Sequence, residues 1–125
     1  LVPAPLLKPA KGKTRDGVIY FGSTAPAMHE ALEMLESEGR RLDAIRVRGF
    51  PFAQSVYDFV AAHDRVFVVE QNRDAQLRTL LMTEGDIDPA KLIAVLHYDG
   101  TPITARFIAG AVGSALLAAH AEAAE

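Results

Sequence analysis

A chain of 125 residues with 50% hydrophobic and 23% charged side chains has the balance of one globular domain, large enough to bury a core without metals or disulfides. Its formal net charge of −3 excludes the basic field that a nucleic-acid backbone requires. With no cysteine, the chain has no thiolate-held iron–sulfur cluster, disulfide frame or thiol nucleophile, which is compatible with a cytoplasmic setting.

Residues 1–15 combine Pro3, Pro5 and Pro9 with Lys8, Lys11, Lys13 and Arg15, and read as a Pro/Lys-rich linker from an upstream domain. The start at Leu1 rather than Met gives the expectation of a piece excised from a longer polypeptide. There is no signal-peptide pattern, and no apolar run approaches the roughly 18 residues that span a bilayer. The domain itself is expected over 16–117, with a fraying Ala-rich tail over 118–125.

Within that domain one pattern repeats: apolar strand, polar turn, amphipathic helix. Val18–Phe21 predicts a strand closed by Gly22-Ser23-Thr24. The helix after it, about Pro26 to Glu38, sets Met28, Ala31, Leu32 and Leu35 on one face. Pro26 suits its first turn and Gly39 its end. Asp43–Arg48 predicts a second strand, whose alternation around Arg46 suggests an edge position with one wetter face, Arg46 and Arg48 guarding that edge. Gly49-Phe50-Pro51-Phe52 turns the chain, and Ser55 is expected to cap a helix with Val56, Phe59 and Val60 inward.

Val66-Phe67-Val68-Val69 is the clearest strand, apolar on both faces as in a parallel sheet. It breaks into Glu70-Gln71-Asn72-Arg73-Asp74, where Asn72 or Asp74 is expected to cap a helix with Leu77, Leu80 and Leu81 inward. Asp88-Pro89 starts a short helical turn, and Leu92–Leu96 makes the fourth strand. His97-Tyr98-Asp99-Gly100-Thr101-Pro102 follows, and Thr104 caps a last helix with Ile108, Ala111, Val112 and Ala115 inward.

Strands alternating with helices imply right-handed crossovers and a three-layer α/β/α sandwich with a mostly parallel sheet. The predicted spatial order is second-first-third-fourth. The switch point then falls between the first and third strands, so Gly22–Thr24 should face Glu70–Arg73 at the carboxyl edge, where ligands and partners bind in such sheets.

The residues at that edge divide between chemistry and architecture. Ser23 and Thr24 could offer hydroxyls to a phosphate, but the glycine spacing matches no nucleotide fingerprint and the ordinary reading is a capped strand-to-helix turn. Glu70, Gln71, Asn72 and Arg73 could form a carboxylate or phosphate clamp, or an interface network in which Arg73 or Arg78 reaches an acidic group on a neighbour. The interface is the favoured reading, because no nucleophile or titratable histidine adjoins them in sequence. His97, beside Tyr98 and Asp99, ends a strand at the same edge and reads first as a hydrogen-bonded corner rather than a general base. Phe50 and Phe52 could anchor a partner or cover the end of the sheet. The four histidines share no ligand spacing and no cysteine accompanies them, so no metal site is expected.

Four segments together carry a resemblance: Val18–Ser23 as VIYFGS, Asp43–Phe52 as DAIRVRGFPF, Val66–Leu77 as VFVVEQNRDAQL and His97–Phe107 as HYDGTPITARF. Over roughly Asp16 to Ile108 the chain resembles the C-terminal domain of the alpha subunit of 2-oxoacid:ferredoxin oxidoreductases, and is most like the 2-oxoglutarate branch. The resemblance implies a fold like the C-terminal domain of transketolase. That fold often adds an antiparallel strand before the first one read above, which Leu6-Leu7 looks too short to supply.

The resemblance also implies a parent enzyme that decarboxylates a 2-oxoacid oxidatively to its acyl-CoA and reduces ferredoxin. Thiamine diphosphate, magnesium, an iron–sulfur cluster and coenzyme A are then held by upstream domains of the same subunit and by a beta subunit. No cofactor is expected in this chain, which lacks a Gly-Asp-Gly diphosphate motif as well as cysteine. It is expected to be a non-catalytic assembly domain, inactive by itself, with no catalytic residue assigned. The alternative is a free-standing flavodoxin-like module binding a small anionic ligand at the switch point.

Overall fold

The computed structural model describes residues 2–124. Strands and helices alternate as β1 (Leu6–Lys8), β2 (Asp16–Phe21), α1 (Ala25–Ser37), β3 (Asp43–Val47), α2 (Gln54–Ala61), β4 (Arg65–Glu70), α3 (Gln76–Gly85), β5 (Leu92–Leu96) and α4 (Ala105–Ala124). The sheet runs β1-β3-β2-β4-β5, parallel from β3 to β5, with β1 antiparallel to β3. The order predicted for the four parallel strands is therefore the one observed.

Two expectations fail together. Leu6–Lys8, read as linker and as too short for a strand, pairs with Ala44–Arg46. Asp43–Val47 is consequently internal rather than an edge. Three residues between Pro5 and Pro9 carry no usable periodicity, so only the pairing to β3 defines that strand. The two prolines also keep the pairing short, which blunts the new edge.

Period two along the strands sorts the core into two clusters. Val18, Tyr20, Ala44, Phe67 and Val69 meet Met28 and Leu35 of α1 and Ile108, Val112 and Leu116 of α4. Ile19, Ile45, Val47, Val66 and Val68 meet Val56, Phe59 and Val60 of α2 and Leu77 and Leu81 of α3. Val66 to Val69 are each at most 1% exposed, as a run apolar on both faces requires.

Pro26 lies in the first turn of α1, and Gly39 beyond its end has φ of +79°, a conformation that favours glycine. Thr104 caps α4, its hydroxyl accepting the Phe107 N–H at 3.1 Å. Ser55 does not cap α2: the helix is entered two residues earlier, through Ala53, with no side-chain cap. α4 continues to Ala124 instead of ending near Leu117, in keeping with the helix propensity of alanine. Leu1 and Glu125, the outer ends of the expected linker and tail, lie outside the described residues.

At the amino edge, buried His63 ties three segments together. Its Nδ1 lies 2.6 Å from the Phe59 carbonyl oxygen and its Nε2 2.7 Å from Asp43 Oδ2, each within hydrogen-bond distance. The other Asp43 oxygen accepts the Ala10 N–H at 2.7 Å, anchoring the segment that carries β1.

Candidate functional site at the carboxyl edge of the sheet

β2 and β4 are neighbours, yet their crossovers depart to opposite sides, α1 toward β3 and α3 toward β5. The switch point thus lies between their carboxyl ends, as expected. There the Gly22–Thr24 turn faces the Glu70–Asp74 loop, joined by the Gln71 amide donating to the Thr24 hydroxyl at 3.0 Å. A cavity of about 350 Å³ opens at this point, with Phe21, Ser23, Thr24, Glu70, Gln71 and Asn72 in its lining.

The polar residues of that loop are divided among different tasks. Glu70 shares a face with Val66 and Val68, so its side chain points toward α3. It is 4% exposed, and its carboxylate accepts the Leu77 N–H at 2.6 Å, the Arg78 N–H at 3.1 Å and the Asn72 amide at 3.0 Å. Glu70 is therefore the principal cap of α3, a role expected of Asn72 or Asp74. Asn72 supports the same turn, its oxygen accepting from the N–H groups of Asp74 and Gln76, and the helix is entered through Ala75 in left-handed geometry. Arg73 points away, 76% exposed, with Asp74 3.7 Å from it. Arg78 turns inward onto the Leu92 and Pro89 carbonyls, so it is not available to a neighbour.

Thr24 sits at the start of α1 and makes no capping hydrogen bond; its hydroxyl accepts from Gln71, and Ser23 is exposed. The cavity lining contains no lysine, arginine or histidine. Arg73 is not part of this lining, so the clamp reading does not bring it together with Ser23 and Thr24.

His97 is half-buried, its ring edge-on to Phe107 with centroids 4.9 Å apart and its Nε2 3.4 Å from Asp99 Oδ1. Asp99 accepts both the hydroxyl of Thr101 at 2.6 Å and its N–H at 3.0 Å. That hydroxyl contact, backed by the amide, holds the Asp99 carboxyl below the usual carboxylate range. The group is a hydrogen-bonded corner, as the sequence reading favoured.

Phe52 is buried at 8% exposure and supports Phe50, whose ring meets it edge-on at 5.2 Å and remains 47% exposed. Phe21, Phe50, Tyr98 and Phe107 are the exposed aromatic side chains. All four lie at the carboxyl edge, at or just beyond the ends of β2, β3 and β5 and in the first turn of α4. Only Phe50 of these was expected as an anchor. Exposure of the other three follows from where the helices leave the sheet uncovered, which local sequence does not encode.

No family model matches the sequence. Over 97 residues, 76% of this chain, it is 36% identical to subunit alpha of 2-oxoacid:ferredoxin oxidoreductase 2 from Aeropyrum pernix. The chain is a relative of 2-oxoacid:ferredoxin oxidoreductase alpha subunits. It spans 15% of the length of that curated relative. It is also 28% identical, with a TM-score of 0.77 over 90% of its length, to 19% of a chain of the 2-oxoglutarate:ferredoxin oxidoreductase of Magnetococcus marinus, solved with 2-oxoglutarate, coenzyme A and succinyl-CoA bound. Two likenesses at 22% identity show the fold alone. One is a split-gene transketolase, with TM-score 0.62 over 82% of this chain and 38% of the other. The second is the alpha chain of a probable 2-oxoacid ferredoxin oxidoreductase from Thermoplasma acidophilum, with TM-score 0.59 over 90% of this chain and 97% of the other. The expected transketolase C-terminal-like fold is the fold observed.

No cysteine is present to hold a cluster, and among the described residues no group of three or more His, Cys, Asp or Glu side chains could hold a metal. The buried carboxylate at the edge, Glu70, is already engaged by α3. No described helix is long and apolar enough to cross a membrane.

Proposed function

We propose that this chain is a non-catalytic assembly domain of the alpha subunit of a thiamine-dependent 2-oxoacid:ferredoxin oxidoreductase, with 2-oxoglutarate as the 2-oxoacid. Its parent would act in the cytoplasm, make the acyl-CoA and reduce ferredoxin, while upstream domains reached through residues 1–15 and a beta subunit hold thiamine diphosphate, magnesium, the cluster and coenzyme A. The observation that carries this reading is the composition of the carboxyl edge. Glu70, His97 and Asp99 there are engaged within the chain, whereas Phe21, Phe50, Tyr98 and Phe107 are left exposed. Exposed aromatics with a polar rim are the make-up of a protein interface. Gln71 and Arg73 belong to that rim. The flavodoxin-like alternative calls for a hydroxyl-rich phosphate loop at the switch point, and there the Thr24 hydroxyl is already engaged by Gln71.

The test is association in the full-length alpha subunit. Tyr98→Asp and Arg73→Glu are expected to weaken binding of the beta subunit, measured by sedimentation. Both side chains are exposed, so the melting temperature of this chain should hardly change. Unchanged association in both variants would overturn the proposal.

A further inference from the structure

We infer that Arg46, with Arg48 two residues on, forms a cationic corner of the carboxyl edge that receives a carboxylate side chain of the polypeptide docking there. This deepens the assembly reading and rests on it. Arg46 stands on β3 opposite Tyr20 of β2 and Leu6 of β1. Its guanidinium lies against the turn after β2: a Cβ built on Gly22 would be 3.0 Å from its Nη2 and 3.2 Å from its Nε. Nε is buried there and has no hydrogen-bond partner among the described residues. Next to it the Tyr20 hydroxyl stands 3.4 Å from Nε2 of His29.

Four arginines are half-buried: Arg40, Arg46, Arg65 and Arg78. The chain supplies a partner for three. Arg40 has Glu38 at 3.6 Å, Arg65 has Asp16 at 2.9 Å, and Arg78 donates to two carbonyls at 2.8 Å. Arg46 is the exception, and neither it nor Arg48 enters an ion pair among the described residues. The Nε of Arg46, removed from water without an acceptor, keeps its desolvation cost, and a half-buried charge left unpaired where its counterparts are paired requires an explanation. A carboxylate from outside the chain, meeting the Nη groups that the Gly22 turn does not bury, supplies one. Position selects a polypeptide as its source. Arg46 touches the turn directly after exposed Phe21, and Arg48 lies two residues before exposed Phe50. A surface that covers those aromatics therefore also covers this corner.

The experiment measures association of the full-length alpha subunit with its beta subunit for Arg46→Glu, Arg46→Met and Tyr98→Asp. Arg46→Glu is expected to weaken the complex by at least about tenfold and Arg46→Met by several-fold, as for loss of one partner of a desolvated ion pair. A Glu→Lys or Asp→Lys substitution in the docking polypeptide that restores binding to the Arg46→Glu variant would identify the carboxylate. If Arg46→Glu impairs folding, judged by the melting temperature of this chain, Arg46→Met decides. Should Tyr98→Asp weaken the complex while the Arg46 variants stay within about twofold of the parent, the cationic corner is overturned and the assembly reading stands. If none of the variants weakens it, both are overturned.

Discussion

The carboxylate of Glu70 takes two backbone N–H groups of α3 and the Asn72 amide at the end of β4. These are donors that a helix start leaves unsatisfied, and in a buried position each would otherwise carry a desolvation cost. Glu70→Ala is accordingly expected to destabilise the chain by about 2 kcal/mol, as for the loss of a buried charged cap. Urea unfolding measures this, and a loss below about 0.5 kcal/mol would show that the cap contributes no more than an ordinary surface residue. A polar stretch after an apolar strand was legible as special, but not its division of labour. Glu70 reaches N–H groups seven and eight residues on, a longer span than a local capping box. Only the angle between β4 and α3 brings them together.

Among the elements, β1 and the β2–α2 contact show how packing overrides local pattern. β1 has no sequence signature of its own, yet the Ala10–Asp43–His63 chain of hydrogen bonds holds its flank against β3. At Gly17, in β2, a Cβ would stand 2.8 Å from the Phe59 ring and 3.2 Å from that of His63. Both rings are buried and cannot swing aside, so Gly17→Ala should destabilise by about 1–3 kcal/mol through overpacking. An alanine variant as stable as the parent in denaturant titration would mean that α2 shifts away freely. The helix stripes themselves were readable in advance, because Met28, Leu35, Ile108 and Val112 recur at the helical period and that period alone dictates a common face. The edge character assigned to β3 was not correct. Arg46 interrupts its apolar alternation because this part of the sheet belongs to the carboxyl corner.

For the whole molecule, isothermal calorimetry of this chain with thiamine diphosphate plus magnesium, and separately with coenzyme A, is expected to show no saturable binding at micromolar ligand. Saturable heat from either would replace the assembly reading with a ligand-binding one. The architecture followed from elementary rules applied to the linear pattern. An apolar run with both faces buried and alternating strand and helix signals implied the mostly parallel sandwich, whereas the order of the four parallel strands, and with it the switch point, was drawn from an edge reading of β3 that its pairing with β1 overturns. Kinship was readable in the same way, from motifs contiguous in the chain. The tertiary structure alone decided which edge residues are consumed by the fold and which remain on offer. Glu70 and Arg78 turn inward, Phe21, Tyr98 and Phe107 stay outside, and Arg46 is half-buried with its Nε unpartnered among the described residues. Exposure and pairing depend on residues distant in sequence meeting across the sheet, so no local window of the chain contains them.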